Sequence, residues 1–383
     1  MSSATGTPFL NTRPNTRLLS IDVLRGLTVA FMILVNNNGN NDLAYRALNH
    51  SLWNGFTPTD LVFPTFLFIM GISMVLSFSA HRAKATSNIV MLTSIGRRFA
   101  LLIFFGLVVN GFPYFHLDTL RIYGVLQRIA VCYLLAALLQ LVTDRIAPRV
   151  VLFFAAVIGY WVLLRFVPVP GHGIPGRDFP LLDHDINLVA WLDRHIFPHR
   201  LFEKTRDPEG LLSDIPAFAS TILGLLAGAW IKQARPAGQK LMGLFGAGIA
   251  LAVAGLLWSE SFPINKKLWT SSYVLYAGGL SILLLAVAYY LIEVRQLRGR
   301  WTYPLLVFGT NAITAYVISE LLSSAVAVFK VNQTQSFQVY VYSHYFIHLG
   351  TPAIGSLIYS LLFVAVCYVP AWLLYRKRIF IKL

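Results

Sequence analysis

His50 is the residue of this chain best equipped for chemistry near neutral pH, because an imidazole can act there as nucleophile or as general base. It opens the stretch HSLWNGFTPTD, which Asp60 closes. Asn36, Asn37 and Asn38 stand shortly before it, at the end of a long apolar run. Amide groups, an imidazole and a carboxylate therefore crowd one short segment. Thr59 or Asp60 also suits the cap of a following helix, and a lone loop histidine is in most proteins merely solvated. The local residues leave both readings open.

Other polar groups fall inside apolar runs, where lipid makes them costly unless they face a partner or a cavity. The segment SIDVLRG sets Asp22 and Arg25 at i and i+3 on one helix face, as an ion pair or as the lining of a mouth for an anionic ligand. RIYGVLQRIAVCYL carries Gln127 and Arg128, with Arg128 about 10 Å beyond Arg121 at 1.5 Å per residue. This pair is too polar for a lipid face and is expected to point inward, to a carboxylate such as Glu320 or to a ligand. FGTNAITAYVISE buries Asn311 and Glu320. Asn311 can bond a neighbouring helix backbone; Glu320 suits a site or a static pairing with Arg128.

The elements that must hold these residues are membrane helices. A soluble domain carries roughly a quarter charged residues, whereas this chain has 12% charged and 56% hydrophobic, with a mean hydropathy of +0.64. Runs long enough for the roughly 20 apolar residues of a spanning helix occupy 18–36, 60–81, 96–111, 122–143, 150–167, 214–232, 240–258, 269–292, 303–328 and 353–375. They lack the alternation of barrel strands. The predicted fold is an all-α polytopic membrane protein, a bundle of about ten transmembrane helices with both termini cytoplasmic. In that orientation, 18 of the 31 Lys and Arg residues lie on the cytoplasmic side, so the net charge of +15 reads as a topology signal rather than a nucleic-acid surface. The organisation expected is a cytoplasmic arm over 1–17, one membrane domain over 18–376 and a basic tail over 377–383. The first run shows no small-residue cleavage site and reads as an uncleaved anchor. Outer loops over 37–59, 168–213 and 330–352 suggest a vestibule, and 184–201 suits a short interfacial helix interrupted at Pro198.

Several chemistries find no support in the sequence. Cys132 and Cys367 fall in separate apolar runs and read as packing residues. His195/His199 and His344/His348 have i, i+4 spacing without a zinc-protease glutamate, and no metal is expected. A phosphate-binding loop and a G-x-S-x-G elbow are both missing from the sequence.

LLSIDVLRGLTVAFMILVNNNG, HSLWNGFTPTDLVFPTFLFIMG, RIYGVLQRIAVCYL, RDPEGLLSDIPA, FPINKKLWTSSYVL and FGTNAI together resemble the heparan-α-glucosaminide N-acetyltransferase family, above all its bacterial members linked to amino-sugar use. The resemblance runs from about Arg17 to the last helix. It implies transfer of an acetyl group from cytoplasmic acetyl-CoA, the co-substrate, to a sugar amine beyond a bacterial inner membrane. It makes His50, in its H-x-x-W-N-G context with Trp53 and Asn54, the active histidine, and Asn36 its partner, donating to the developing oxyanion. Asp22, Arg25, Asp60, Gln127, Arg128, Asn311 and Glu320 join Trp53 and Asn54 as candidates for holding substrate or coenzyme. Lysosomal members follow the asparagine with Tyr-Gly-Gly where this chain has Asn37, Asn38 and Gly39, and they carry an additional N-terminal luminal domain. The partners implied are acetyl-CoA, an amino sugar or glycan acceptor, the lipid bilayer and, in one arrangement, a second copy in a homodimer. O-acetylation of an envelope glycan and amino-sugar transport are the competing functions.

Overall fold

The computed structural model describes residues 18–381; the arm expected over 1–17 and the last two tail residues lie outside them. Among the described residues there is no β-strand, and 13 α-helices follow one another. They are α1 (Leu19–Asn36), α2 (Val62–Ala83), α3 (Asn88–Gly111), α4 (Val125–Val142), α5 (Ile146–Phe166), α6 (Leu188–Ile196), α7 (Asp214–Lys232), α8 (Ala237–Ser259), α9 (Ser271–Tyr289), α10 (Thr302–Thr310), α11 (Ala312–Val328), α12 (Phe337–Val341) and α13 (Pro352–Arg376). Nine helices among the described residues are long and apolar enough to cross a membrane. The ninth apolar run, over 303–328, is not one helix: α10 and α11 meet at Asn311 with an 84° bend. Within 184–201 the structure has one short helix, α6, which stops two residues short of Pro198.

Burial sorts the bundle. α2 and α7 are enclosed over most of their length, while α3 and α8 show most of their surface outward. Lipid offers no hydrophobic drive between helices, so contact depends on close backbone approach at small residues. Gly71 of α2 and Gly224 of α7 supply it: a Cβ on either would strike Thr221 O or Phe68 O across the contact. Gly224→Leu should therefore separate α2 from α7, at about 1–3 kcal/mol or more for overpacking. Gly159→Leu, with nothing within 4 Å of its added carbon, should leave the protein unchanged. Melting temperatures of the two variants in detergent distinguish these outcomes.

Helix alternation brings the loops before α2, α4, α7, α9 and α13 to one end of the bundle, with His50 among them. Asp22, Arg25, Lys232, Lys240 and the tail residues after α13 lie at the other end. Asn311 ties the break to that tail: its amide donates to Ile379 O at 3.2 Å, and its carbonyl accepts from Ile381 N at 3.0 Å. The sequence expectation of a backbone partner for Asn311 is met, by the tail and not by a neighbouring helix.

Candidate functional site

The His50 end is built on a capped helix start. Thr57 and Asp60 form a reciprocal capping box at the 3₁₀ turn leading into α2. The Asp60 carboxylate is fully buried. Its Oδ2 accepts from the backbone N–H of Ser51 at 3.1 Å and of Thr57 at 3.0 Å. Its Oδ1 faces His50 Nδ1 at 2.8 Å, and Tyr273 of α9 donates to the Asp60 carbonyl at 2.7 Å. One carboxylate both caps the turn and contacts His50. Asp60 accepts the Nδ1 proton, so the lone pair of the neutral ring lies on Nε2.

Lys266, in the loop between α8 and α9, completes the group. Its Nζ lies 2.9 Å from His50 Nδ1, 3.2 Å from Nε2 and 3.8 Å from Asp60 Oδ1. Desolvation by the surrounding protein, then the Lys266 charge, hold His50 below its usual range against the pull of Asp60 and Glu209. Burial also lowers Lys266, opposed by Asp60 and Glu209.

Trp53 and Asn54 lock this loop. The Trp53 indole donates to Leu182 O at 2.8 Å, with His184 stacked at 3.8 Å and the Arg206 guanidinium 4.4 Å from its ring centre. Asn265 donates to Asn54 Oδ1 at 3.1 Å, and Gly55 N–H to Ile264 O at 2.8 Å. Both side chains thus brace the His50 loop against 182–206 and 264–266. Asn38, buried, donates to Asn49 Oδ1 at 3.0 Å and ties the end of α1 to the residue before His50. Asn36 is exposed, and its amide donates to Glu320 at 3.4 Å.

Arg128 meets Asp214, not Glu320: Nε donates to Asp214 Oδ1 at 2.9 Å and Nη2 to Gly210 O at 3.1 Å, with Ser213 Oγ also in contact. Sequence distance hid this, since the partner lies 86 residues away. Next to it, Arg121 grips Asp207 at 2.5 and 2.8 Å and Glu209 at 2.5 Å. Burial alone would raise Glu209, but Arg121, Arg128 and Lys266 hold it below the usual carboxylate range. The Gln127 amide is buried with no hydrogen-bond partner among the described residues. Arg121, Glu209 and Lys266 were read from sequence only as outer-loop charge or as motif letters; RDPEG and FPINKK were the signal.

At the opposite end Arg25 joins three elements, donating to Asp22 Oδ1 at 2.9 Å, Gly309 O at 3.1 Å and Ser73 Oγ at 2.5 Å. It lines two neighbouring cavities. One, about 710 Å³, is edged by Asp22, Lys232, Lys240 and Tyr289. The other, about 270 Å³, runs inward past Ser73, Arg98, Tyr133 and Met70 to Phe66, Ile129 and Ile313. Those last three also line a narrow apolar throat with Phe63, Val125 and Tyr316. Phe63 is three residues from Asp60, about 4.5 Å along the chain axis. Three cavities with shared wall residues thus lead from the Arg25 end as far as Phe63 and Tyr316; the last is only about 10 Å³, and none of the three is lined by His50, Asp60 or Lys266.

The catalytic-domain profile of heparan-alpha-glucosaminide N-acetyltransferase matches residues 17–255. This chain belongs to that family. Human heparan-alpha-glucosaminide N-acetyltransferase is 30% identical over 419 aligned positions that take in 96% of this chain and 60% of the relative. The mouse protein of the same name is 29% identical over the same shares. The chain spans about 60% of the length of these curated relatives. As a member of the N-acetyltransferase family it is a multi-pass membrane protein, and its family profile takes in His50, Asp60, Arg128 and Glu209, while Lys266 lies past its end.

Proposed function

We propose that this chain is a membrane acetyltransferase that moves an acetyl group from acetyl-CoA, entering at the Arg25 end, to the amine of a glucosamine-type sugar at the His50 end. One observation carries the reading: the cavities that begin among Arg25, Lys232 and Lys240 and end beside Phe63 and Tyr316. Coenzyme A is a polyanion on a long, thin thiol-bearing arm. Its charged head suits the basic mouth, and its apolar arm suits a passage lined by Met70, Phe66 and Ile129. The basic bias of the Arg25 end supports a cytoplasmic orientation for that end, in a bacterial inner membrane on the family resemblance.

At the far end the thioester meets His50. Asp60 fixes the tautomer, and the free Nε2 either attacks the carbonyl carbon or takes the proton of the incoming amine. Glu209 and Glu320 give this end the negative charge that draws a sugar ammonium. Asn36, turned away from Glu320, hands a hydrogen bond to the acyl oxygen.

Purified protein given acetyl-CoA and glucosamine should yield base-stable N-acetylglucosamine by mass spectrometry. A base-labile ester would replace this reading with O-acetylation, and sugar uptake into vesicles indifferent to acetyl-CoA would replace it with transport. Incubation without acceptor should show protein gaining one acetyl group if His50 is the nucleophile, and none if it is the base.

A further inference from the structure

We propose that Lys266 is a catalytic residue of this centre, its ammonium the cation that stabilises the acyl oxygen as negative charge develops on it. The inference rests on the acetyl-transfer reading and adds a residue that the family profile does not reach. Its ground is position. Nδ1 of His50 is engaged by Asp60 at 2.8 Å, which leaves the free lone pair on Nε2, and Lys266 Nζ stands beside the ring, 2.9 Å from Nδ1 and 3.2 Å from Nε2. An acyl carbon arriving at Nε2 carries its oxygen one bond further out, within reach of a donor already beside the ring. Asn36, the amide donor of the acetyl-transfer reading, must first leave Glu320, to which it donates at 3.4 Å, whereas Lys266 already stands beside the ring.

The loop is constructed to hold the amine there. Asn265, fully buried, donates to Asn54 on one side and accepts from the Leu268 N–H at 2.9 Å on the other. Trp269 and Tyr273 follow, both buried, so the backbone at Lys266 is fixed on two flanks. The Lys266 side chain is 19% exposed. The charged groups around it are His50 and Asp60 from the loop before α2, Glu209 from the loop before α7, Arg128 from α4 and its neighbour Lys267. Burial, Lys267 and Arg128 disfavour its charge, and the two carboxylates favour it. A fixed cation in a poorly hydrated site stabilises a developing oxyanion far more than water does.

The electron count closes in either route. As the new N–C bond forms, the C=O pair moves onto oxygen beside Lys266, then returns as the C–S bond breaks. If the ring serves as base, the sulfur leaves as thiol with the proton that Nε2 took from the amine. If the ring attacks, the sulfur leaves as thiolate while the acetyl-imidazolium keeps its Nδ1 proton against Asp60. The sugar amine then attacks the acetyl carbon, the C–Nε2 bond returns its pair to the ring, and the amine's proton passes by way of Nε2 to the thiolate. Lys266 gives up no proton and forms no bond.

Lys266→Met should lower kcat for N-acetylglucosamine formation by about 10²–10³-fold, the effect of losing one oxyanion donor, with KM changed less than threefold. Lys266→Arg, which keeps the charge, should recover at least tenfold over the methionine variant. It should also move the alkaline loss of activity upward, since guanidinium stays protonated where a buried amine does not. Lys266→Met with kcat within threefold of the parent would overturn the proposal. So would methionine and arginine variants equally poor at unchanged melting temperature, or an alkaline limb the arginine leaves in place. If the methionine protein does not fold, the pH profile of the arginine protein decides alone. Near-normal turnover by His50→Ala would instead overturn the acetyl-transfer reading beneath.

Discussion

His50→Ala should cost about 10²–10⁴-fold in turnover of acetyl-CoA with glucosamine, the range lost with a general base or its nucleophilic equivalent, while the melting temperature stays near that of the parent. The side chain can be removed without disturbing the fold because it is 43% exposed and the loop is braced by others, namely Asp60, Trp53, Asn54 and Asn265. Asp60→Asn separates the two duties of that carboxylate. Asparagine can still accept the Ser51 and Thr57 hydrogen bonds, but it cannot hold Nδ1–H with a charge, so activity should fall more than stability. The acid side of the pH profile belongs to His50. Its ionisation lies below the usual value of about 6.5 because surrounding protein and Lys266 disfavour the imidazolium. Activity should therefore persist as pH falls through 6.5 and be lost only below it, as the ring takes up its proton. Rates measured from pH 5 to 8, set beside His50→Ala, whose residual rate should lack that limb, check the assignment.

How much of this was legible beforehand depended on whether the governing interaction is local. Apolar run length marked every spanning helix, since bilayer thickness alone sets that length, and the cap at Thr57–Asp60 is likewise a short-range pattern. Asn311 stands in plain view within a run long enough to span, yet its partners at the bend are Ile379 and Ile381 of the tail, 68 and 70 residues away, which no periodicity reports. The ionic partners followed the same rule. Asp22 and Arg25, three apart, offer an ion pair as one of two readings, and the pair forms, whereas the sequence offers Arg128 only Glu320 or a ligand and it meets Asp214 instead. Lys266 lies 216 residues from the histidine it touches, and as one outer-loop cation among others it reads as topology. Helix packing decides such pairs. The sequence shows only that a buried charge must have one.

That buried pair should carry the largest stability effect outside the reacting centre. Arg128 is enclosed completely, with its guanidinium 5.0 Å from the Trp269 ring centre. Removing one member of a buried ion pair strands the other charge, which costs about 3–5 kcal/mol. Arg128→Met should thus lower the melting temperature sharply, as should Asp214→Leu. The double variant Arg128→Met/Asp214→Leu, which strands no charge, should recover much of the loss, because a dry apolar pair of similar volume can be near neutral where a broken ion pair is not. Single effects that add would show the two side chains to be independent. Activity should behave differently. Arg128 also donates to Gly210 O and meets Ser213, and so pins the turn carrying Glu209 between Arg121 and the start of α7. With that pin gone, the double variant should regain its melting temperature without regaining turnover, because Glu209 no longer keeps its place among Arg121, Lys266 and His50.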